Sequence, residues 1–239
     1  RNYLYANNSD NTIYGYAGDD VIYGFEGDDT VYGGDGNETI STAQGNDAID
    51  AGSGNDTIYA GSGDDVIDAG RGRGDIDGGG GFDTLSFDLS DQFGQLRLDV
   101  GLAEGGYQNF YGSSASFDSL LTALAGATSF AVLDYYTHAN VGYRNVEAVN
   151  WTAGAGDDLL VYQGGNRYDG GGGSDTFYAD FSGTTTSLYW DVDAQSFSKV
   201  DGVTVANIER LLLATGSGND LIRAVSGGLS HHVETGAGN

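Results

Sequence analysis

From Ala6 to Ser86 the chain reads ANNSDNTIY, GYAGDDVIY, GFEGDDTVY, GGDGNETIS, TAQGNDAID, AGSGNDTIY, AGSGDDVID, AGRGRGDID and GGGGFDTLS, nine nonapeptides without a gap. The fourth position is Gly in eight of the nine, Ser9 being the exception. The sixth is acidic in seven: Asp20, Asp29, Glu38, Asp47, Asp56, Asp65 and Asp83, with Asn11 and Gly74 breaking the series. The eighth is always aliphatic, from Ile13 to Leu85. Six residues rich in Gly make a turn, because Gly alone takes positive φ freely and lets backbones or an ion come close. The following triplet, such as Thr57-Ile58-Tyr59, is a short strand of β-branched and aromatic types. Side chains alternate along a strand, so the eighth position faces one way and the seventh and ninth the other. One aliphatic side chain per strand is too little for a core. Stacked copies supply one, and the result is a solenoid.

Stacking also sets the acidic residues in columns, roughly 4.8 Å from one strand to the next. Carboxylates at that spacing repel one another. A hard dication between turns removes the conflict, and calcium takes six to eight oxygens from carboxylates and carbonyls at roughly 2.3–2.6 Å. A Gly-rich turn ending in Asp offers both. A metal-free solenoid would leave the column without a partner.

These units resemble the calcium-binding repeats of the repeats-in-toxin (RTX, haemolysin-type) proteins, with the pattern G-G-x-G-x-D-x-U-x and U aliphatic. The resemblance implies an all-β parallel β-roll, two nonapeptides per coil, with alternate repeats stacked on the same side. It also implies several calcium ions between stacked turns, held by turn carbonyls and by Asp20, Asp29, Glu38, Asp47, Asp56, Asp65 and Asp83. Asn11 is expected to be a weak ligand through its amide oxygen, and Glu38 a displaced one because it is a methylene longer. Gly74 predicts a gap in the ion column, with the guanidinium groups of Arg71 and Arg73 partly replacing the cation.

A different design begins after residue 86. Residues 78–100 match 170–192 without a gap, and 145–160 match 207–222. The chain therefore holds two copies of a larger unit: a calcium-type turn, mixed strands, an N-x-E strand (Asn145/Glu147, Asn207/Glu209) and another calcium-type turn. The sequence divides into a regular array over 1–86, an irregular β region over 87–152 and a degenerate repeat-containing unit over 153–239. Asp158, Asp175 and Asp220 continue the ligand pattern, whereas Arg167 stands where an Asp belongs and predicts another missing ion. The first copy carries an insertion between Gly101 and Gly142. Within it, Phe117, Leu120, Leu121 and Leu124 have helical spacing, Ser116 or Asp118 offers a cap, and Ser129 to Leu133 reads as a strand. Because each N-x-E glutamate recurs at the same place in a repeat, it is expected to bond a neighbouring coil's backbone rather than act in glycoside chemistry.

Composition closes other routes. Nine basic residues against 35 acidic ones give a net charge of −26. Such a chain is repelled by nucleic acid and anionic lipid. There is no Cys for disulfides or thiol chemistry, and no apolar run long enough for membrane insertion as a helix. His138, His231 and His232 are expected to be surface residues, and no Ser has the setting of a nucleophile, so the chain is expected not to be an enzyme. The non-Met start, and an end at TGAGN where TGSGND is the expected form, read as a piece of a longer repetitive protein.

The resemblance implies an extracellular module of a secreted or cell-surface bacterial protein, of adhesin, surface-layer or spacer type. It implies export by type I secretion and folding on calcium. An accessory domain of a type I-secreted enzyme is the alternative. A third reading rests on Tyr14, Tyr23, Tyr32 and Tyr59, which share the outward ninth position and offer a surface for carbohydrate or other cell-surface components. About six to nine ions, as pairing of successive turns allows, would cancel roughly half of the charge or more.

Overall fold

The computed structural model describes residues 1–90, 96–102, 107–111, 123–124, 127–134, 140–191, 196–197, 203–223 and 231–237. The nine triplets become strands that form two walls, each paired in parallel at a step of 18 residues. In one wall Tyr3 pairs with Val21, Val21 with Thr39, Thr39 with Thr57 and Thr57 with Asp75. In the other Thr12 pairs with Thr30, Thr30 with Ala48, Ala48 with Val66 and Val66 with Thr84. One coil is thus two nonapeptides. Between the walls lie the eighth-position side chains: Ile22, Ile40, Ile58 and Ile76 from one, Val31, Ile49, Ile67 and Leu85 from the other, all buried. Leu, Ile and Val contribute about 1.5–3 kcal/mol each when fully buried. This ladder is therefore the apolar driving force of the array.

The turns are more regular than short strands joined by loops would require. Ala48–Ser62 is one continuous strand of 15 residues that leaves one wall, rounds the turn and enters the other. Ser53 pairs with Arg71, Gly54 with Gly72 and Asp56 with Gly74, so the turn backbone is laddered as well. Close stacking of the turns needs Gly. At Gly54 φ is +149°, and an added Cβ would sit 1.4 Å from the Gly36 carbonyl oxygen.

After Thr84–Asp88 the chain leaves the roll and returns to it. Leu96–Leu102 lies antiparallel to both Tyr107–Tyr111 and Ala127–Asp134, and the latter to Asn140–Arg144. Asn140–Arg144 then resumes parallel pairing with Arg71–Gly80, and Ala148–Thr152 with Thr84–Asp88. The strand expected over 129–133 is the middle of Ala127–Asp134. The expected helix over 117–124 lies outside the described residues except for Ala123 and Leu124, which are helical.

The second copy repeats the excursion in shorter form. Tyr189–Asp191 and Ser196–Phe197 are antiparallel, Ser196 faces Thr204, and Thr204–Ala206 pairs in parallel with Gly164–Asp169. A further parallel sheet joins Leu159–Val161, Thr176–Asp180, Arg210–Ala214 and His232–Glu234. Beyond residue 140 the core is heavier, with Trp151, Tyr168, Phe177, Tyr178 and Trp190 all buried. Among the described residues no helix is long and apolar enough to cross a membrane.

Candidate metal centre

The register sets the sixth-position carboxylates in two columns, one per edge of the roll. One runs Asp29, Asp47, Asp65, Asp83, and the other Asp20, Glu38, Asp56. Each Asp uses its first oxygen to hold the coil before it. The backbone N–H of Asp29 donates to Asp47 Oδ1 at 2.8 Å, that of Asp47 to Asp65 at 2.8 Å, and that of Asp65 to Asp83 at 2.9 Å. Glu38 N–H donates to Asp56 Oδ1 at 2.9 Å, Asn2 N–H donates to Asp20, and Asn11 N–H to Asp29 at 2.9 Å.

The second oxygen is a different matter. Oδ2 of Asp20, Asp29, Asp47, Asp56, Asp65 and Asp83 is buried and has no hydrogen-bond partner, and these residues are at most 3 % exposed. The same holds for Asp175 Oδ2 in the second half, where Asp158 N–H donates to Asp175 Oδ1 at 2.8 Å. A buried anionic oxygen without a partner costs at least as much as an orphaned neutral group, about 1–3 kcal/mol. Native folds tolerate it where a cation belongs. Carbonyl oxygens stand nearby. A Cβ on Gly33 would lie 2.4 Å from the Ala51 carbonyl oxygen, and one on Gly15 would lie 2.3 Å from that of Gly33 and 3.3 Å from Asp20 Oδ2. Among the described residues no three acidic or His side chains gather at one point. The carboxylates come one per coil, so a hard cation between coils must take the rest of its oxygens from backbone.

Burial shows in the acidities. It pushes Asp65 up to about 6 and Asp175 up to about 8, and it raises Asp29, Asp47, Asp56 and Asp83 as well. Glu38 departs in the way its length predicts. Neither of its oxygens makes a hydrogen bond of good geometry, although the Asp56 carboxylate and the Asp20 backbone lie beside it. Burial, and then Asp56, push it up strongly.

Three expectations change in detail. Asn11 turns its amide nitrogen, not its oxygen, to Asp29 at 3.3 Å, while Oδ1 accepts from Asn7 at 3.2 Å; it braces the first turn. Opposite Asp56 stands Gly74, so the carboxylate column stops there. The guanidinium groups do not fill the gap. Arg71 and Arg73 are exposed, and Arg71 reaches sideways to Asp88 at 3.2 Å, because solvent accommodates a guanidinium more cheaply than a buried turn does. Arg167 lies on the strand Gly164–Asp169 rather than in a turn, exposed and paired with Asp169 at 3.3 Å. Asp220 accepts from Leu188 N–H at 2.8 Å but is only half-buried.

One set of residues escapes a motif reading that fixes on the sixth position. The fifth position is Asp or Asn in seven of the nine repeats. It forms a second ladder running the opposite way: Asn37 N–H donates to Asp19 Oδ1, Asn46 N–H to Asp28 and Asp64 N–H to Asn46, at 2.7–2.8 Å. The signal was present in the sequence as Asp-Asp and Asn-Asp pairs. The N-x-E glutamates behave as expected of them. Asp83 N–H donates to Glu147 Oε2 at 2.9 Å and Asp175 N–H to Glu209 Oε2 at 2.8 Å.

The outward tyrosines stack. Tyr14 and Tyr32 have ring centres 5.0 Å apart, and Tyr5 and Tyr23 5.3 Å apart. Tyr16 and Phe25 extend the two stacks from backbones at φ 70° and 78°, where Gly is the usual residue. Tyr59 is exposed beyond Ser41, which interrupts its row. His232 lies at the surface beside Glu234 at 3.2 Å, and His231 Nδ1 accepts from Leu211 N–H. His138 lies outside the described residues.

A family model described as "RTX calcium-binding nonapeptide repeat (4 copies)" matches residues 5–40, 41–76 and 50–85. No curated protein matches the chain. The orphaned carboxylate oxygens fit the ion this repeat family binds: Asp20, Asp29, Asp47, Asp56, Asp65 and Asp83 would hold calcium with turn carbonyls, and the ion would neutralise the column. Residues 5–85 thus belong to the RTX calcium-binding nonapeptide repeat family and form a calcium-binding parallel β-roll.

Proposed function

We propose that this chain is a non-catalytic extracellular module of a larger secreted or cell-surface protein, a stiff spacer or adhesin segment that folds when it meets calcium. Export in the unfolded state and calcium-driven folding outside the cell suit a chain of −26 charge. The observation that carries the reading is the row of buried, unpartnered Oδ2 atoms. Without a cation these oppose collapse, and an ion that binds only the native state adds stability by mass action. Folding and binding are then one transition. In chelator the far-UV circular dichroism is expected to be mostly disordered, and millimolar calcium to restore the β signal. The same β spectrum with and without chelator would overturn coupled folding. An accessory role beside a secreted enzyme uses the same coupling.

The aromatic stacks favour a second activity for the same module, carbohydrate contact. Flat exposed rings bind the apolar faces of sugars. Two bulky residues in left-handed backbone cost about 1–2 kcal/mol each, a strain that persists at functional surfaces. On a glycan array Tyr14→Ala and Tyr32→Ala together are expected to abolish any signal of the calcium-loaded chain without changing its β spectrum. Binding that survives the pair excludes this stack.

A further inference from the structure

Two columns of buried carboxylates, the one that ends at Asp83 and the one that ends at Asp175, stop at the edge of a regular run, and at both stops an N-x-E segment takes over the work of the missing coil. After Asp83 the next nonapeptide would supply a first-position carbonyl, a sixth-position carboxylate and a triplet. The triplet is Ala148-Val149-Asn150, in register with Thr84-Leu85-Ser86. Counting back one residue from it, Glu147 stands at the sixth position. The hydrogen bonds agree. Ala148 N–H donates to the Asp83 carbonyl at 3.0 Å, as Thr84 N–H does to that of Asp65 at 2.8 Å. Asp83 N–H donates to Glu147 Oε2 at 2.9 Å, as Asp65 N–H does to Asp83 Oδ1.

The carbonyl is also reproduced. A Cβ on Gly78 would meet the Asn145 carbonyl oxygen at 2.1 Å and Asp83 Oδ2 at 2.6 Å, as one on Gly15 meets the Gly33 carbonyl oxygen and Asp20 Oδ2. Asn145 reaches this place by a left-handed turn at φ 52°, fixed by Nδ2 donating to Asp77 at 2.7 Å. Three residues thus present what six present elsewhere, and the longer Glu side chain covers the difference.

The second copy repeats every part. Arg210 pairs with Thr176, Asp175 N–H donates to Glu209 Oε2 at 2.8 Å, and Asn207 has φ 54° with Nδ2 on Asp169 at 2.7 Å. A Cβ on Gly170 would meet the Asn207 carbonyl oxygen at 2.2 Å and Asp175 Oδ2 at 2.7 Å. In both places the inner carboxylate is essentially fully buried, and its Oδ2, without a hydrogen-bond partner, lies on the side of that carbonyl. A Glu needed only to accept one N–H would not call for the carbonyl as well.

We propose that Glu147 and Glu209 each complete a calcium site at the end of a column, Glu147 with Asp83 and the Asn145 carbonyl, Glu209 with Asp175 and the Asn207 carbonyl. The N-x-E segment is then a surrogate half-coil that lets an ion column stop, and the chain change course, without leaving a buried carboxylate bare. This rests on the calcium-binding reading of the columns. Calcium titration by calorimetry, with circular dichroism as the check on folding, tests it on the whole chain, on E147Q, E209Q and the double variant, and on E26Q, an exposed acid off the columns. Gln keeps an oxygen for the Asp83 or Asp175 N–H and removes the charge. Each single variant is expected to lose one ion or to bind it roughly tenfold or more weakly, since ligand charge sets affinity. The double variant loses two, and E26Q none. Unchanged stoichiometry and affinity in E147Q and E209Q would overturn the proposal while leaving the columns intact. A parent chain that takes up no calcium would overturn both. Should the variants not fold, a crystal structure of the parent chain with calcium decides: an ion touching Asp83 Oδ2 and Glu147 supports the proposal, and ions between regular turns with none at Glu147 refute it.

Discussion

At the scale of the residue, the turns ask for two separate things that the nonapeptide meets with different letters. The fourth position must let coils stack, and only Gly does. Gly54 combines φ +149° with 1.4 Å between a notional Cβ and the Gly36 carbonyl oxygen. Gly80 has nothing within 4 Å of the same point. G54A is therefore expected to cost more than about 3 kcal/mol, as clashes with backbone and forced positive φ do together. G80A is expected to stay within about 0.5 kcal/mol. Thermal unfolding in saturating calcium measures both, and equal midpoints for the two variants would contradict this reading of the turn. The fifth and sixth positions divide the acidic work. The fifth ties a coil to its successor at the exposed rim, and the sixth ties it to its predecessor inside while holding an oxygen in reserve. Repeats alone identified the sixth position, because its chemistry has no other outlet. The fifth needed the structure, since an exposed Asp reads equally well as solvated charge.

At the scale of the element, a carboxylate column is a proton sink as well as a cation site. Asp65 titrates near 6 and Asp175 near 8 in the fold, against about 3.9 for an unfolded Asp. The folded state therefore holds protons that the unfolded state has released. A raised folded value contributes stability that is fully present below pH of about 4 and is lost as pH climbs through 6 and then 8. Asp19, held low by the Asn37 backbone N–H, works in the opposite sense but is fully exposed. In chelator, acidification from about pH 8 to about pH 4 is expected to raise the β signal, protons standing in for calcium. With calcium present, affinity is expected to fall as pH drops below about 6, where protons compete for the same oxygens. Circular dichroism against pH with and without chelator checks this. A chelated chain that loses structure on acidification would show that the columns are not what opposes folding.

At the scale of the molecule, the sequence by itself determined the array. A period of nine with Gly, acid and aliphatic at fixed places admits one economical packing, because a single Ile per strand finds a core only by stacking. The columns of Asp29 to Asp83 and Asp20 to Asp56 follow from that stacking. So did the break at Gly74, because a residue without a side chain can offer no carboxylate. The meaning of the −26 charge was legible only in part. Some of it is the inner column, which a cation answers. The fifth-position acids and outward residues such as Asp75 and Asp77 hold coils together or pair with Arg144, which binds Asp77 at 2.7 Å. What only the tertiary structure decided is how the array ends and resumes. Pairing between Asn140–Arg144 and Arg71–Gly80 spans residues far apart in sequence, and no local period encodes it. The equivalence of Glu147 to a sixth-position Asp appears only once Ala148 is seen beside Thr84. Short-range repetition fixes what each turn resembles, and long-range register fixes which turn it completes.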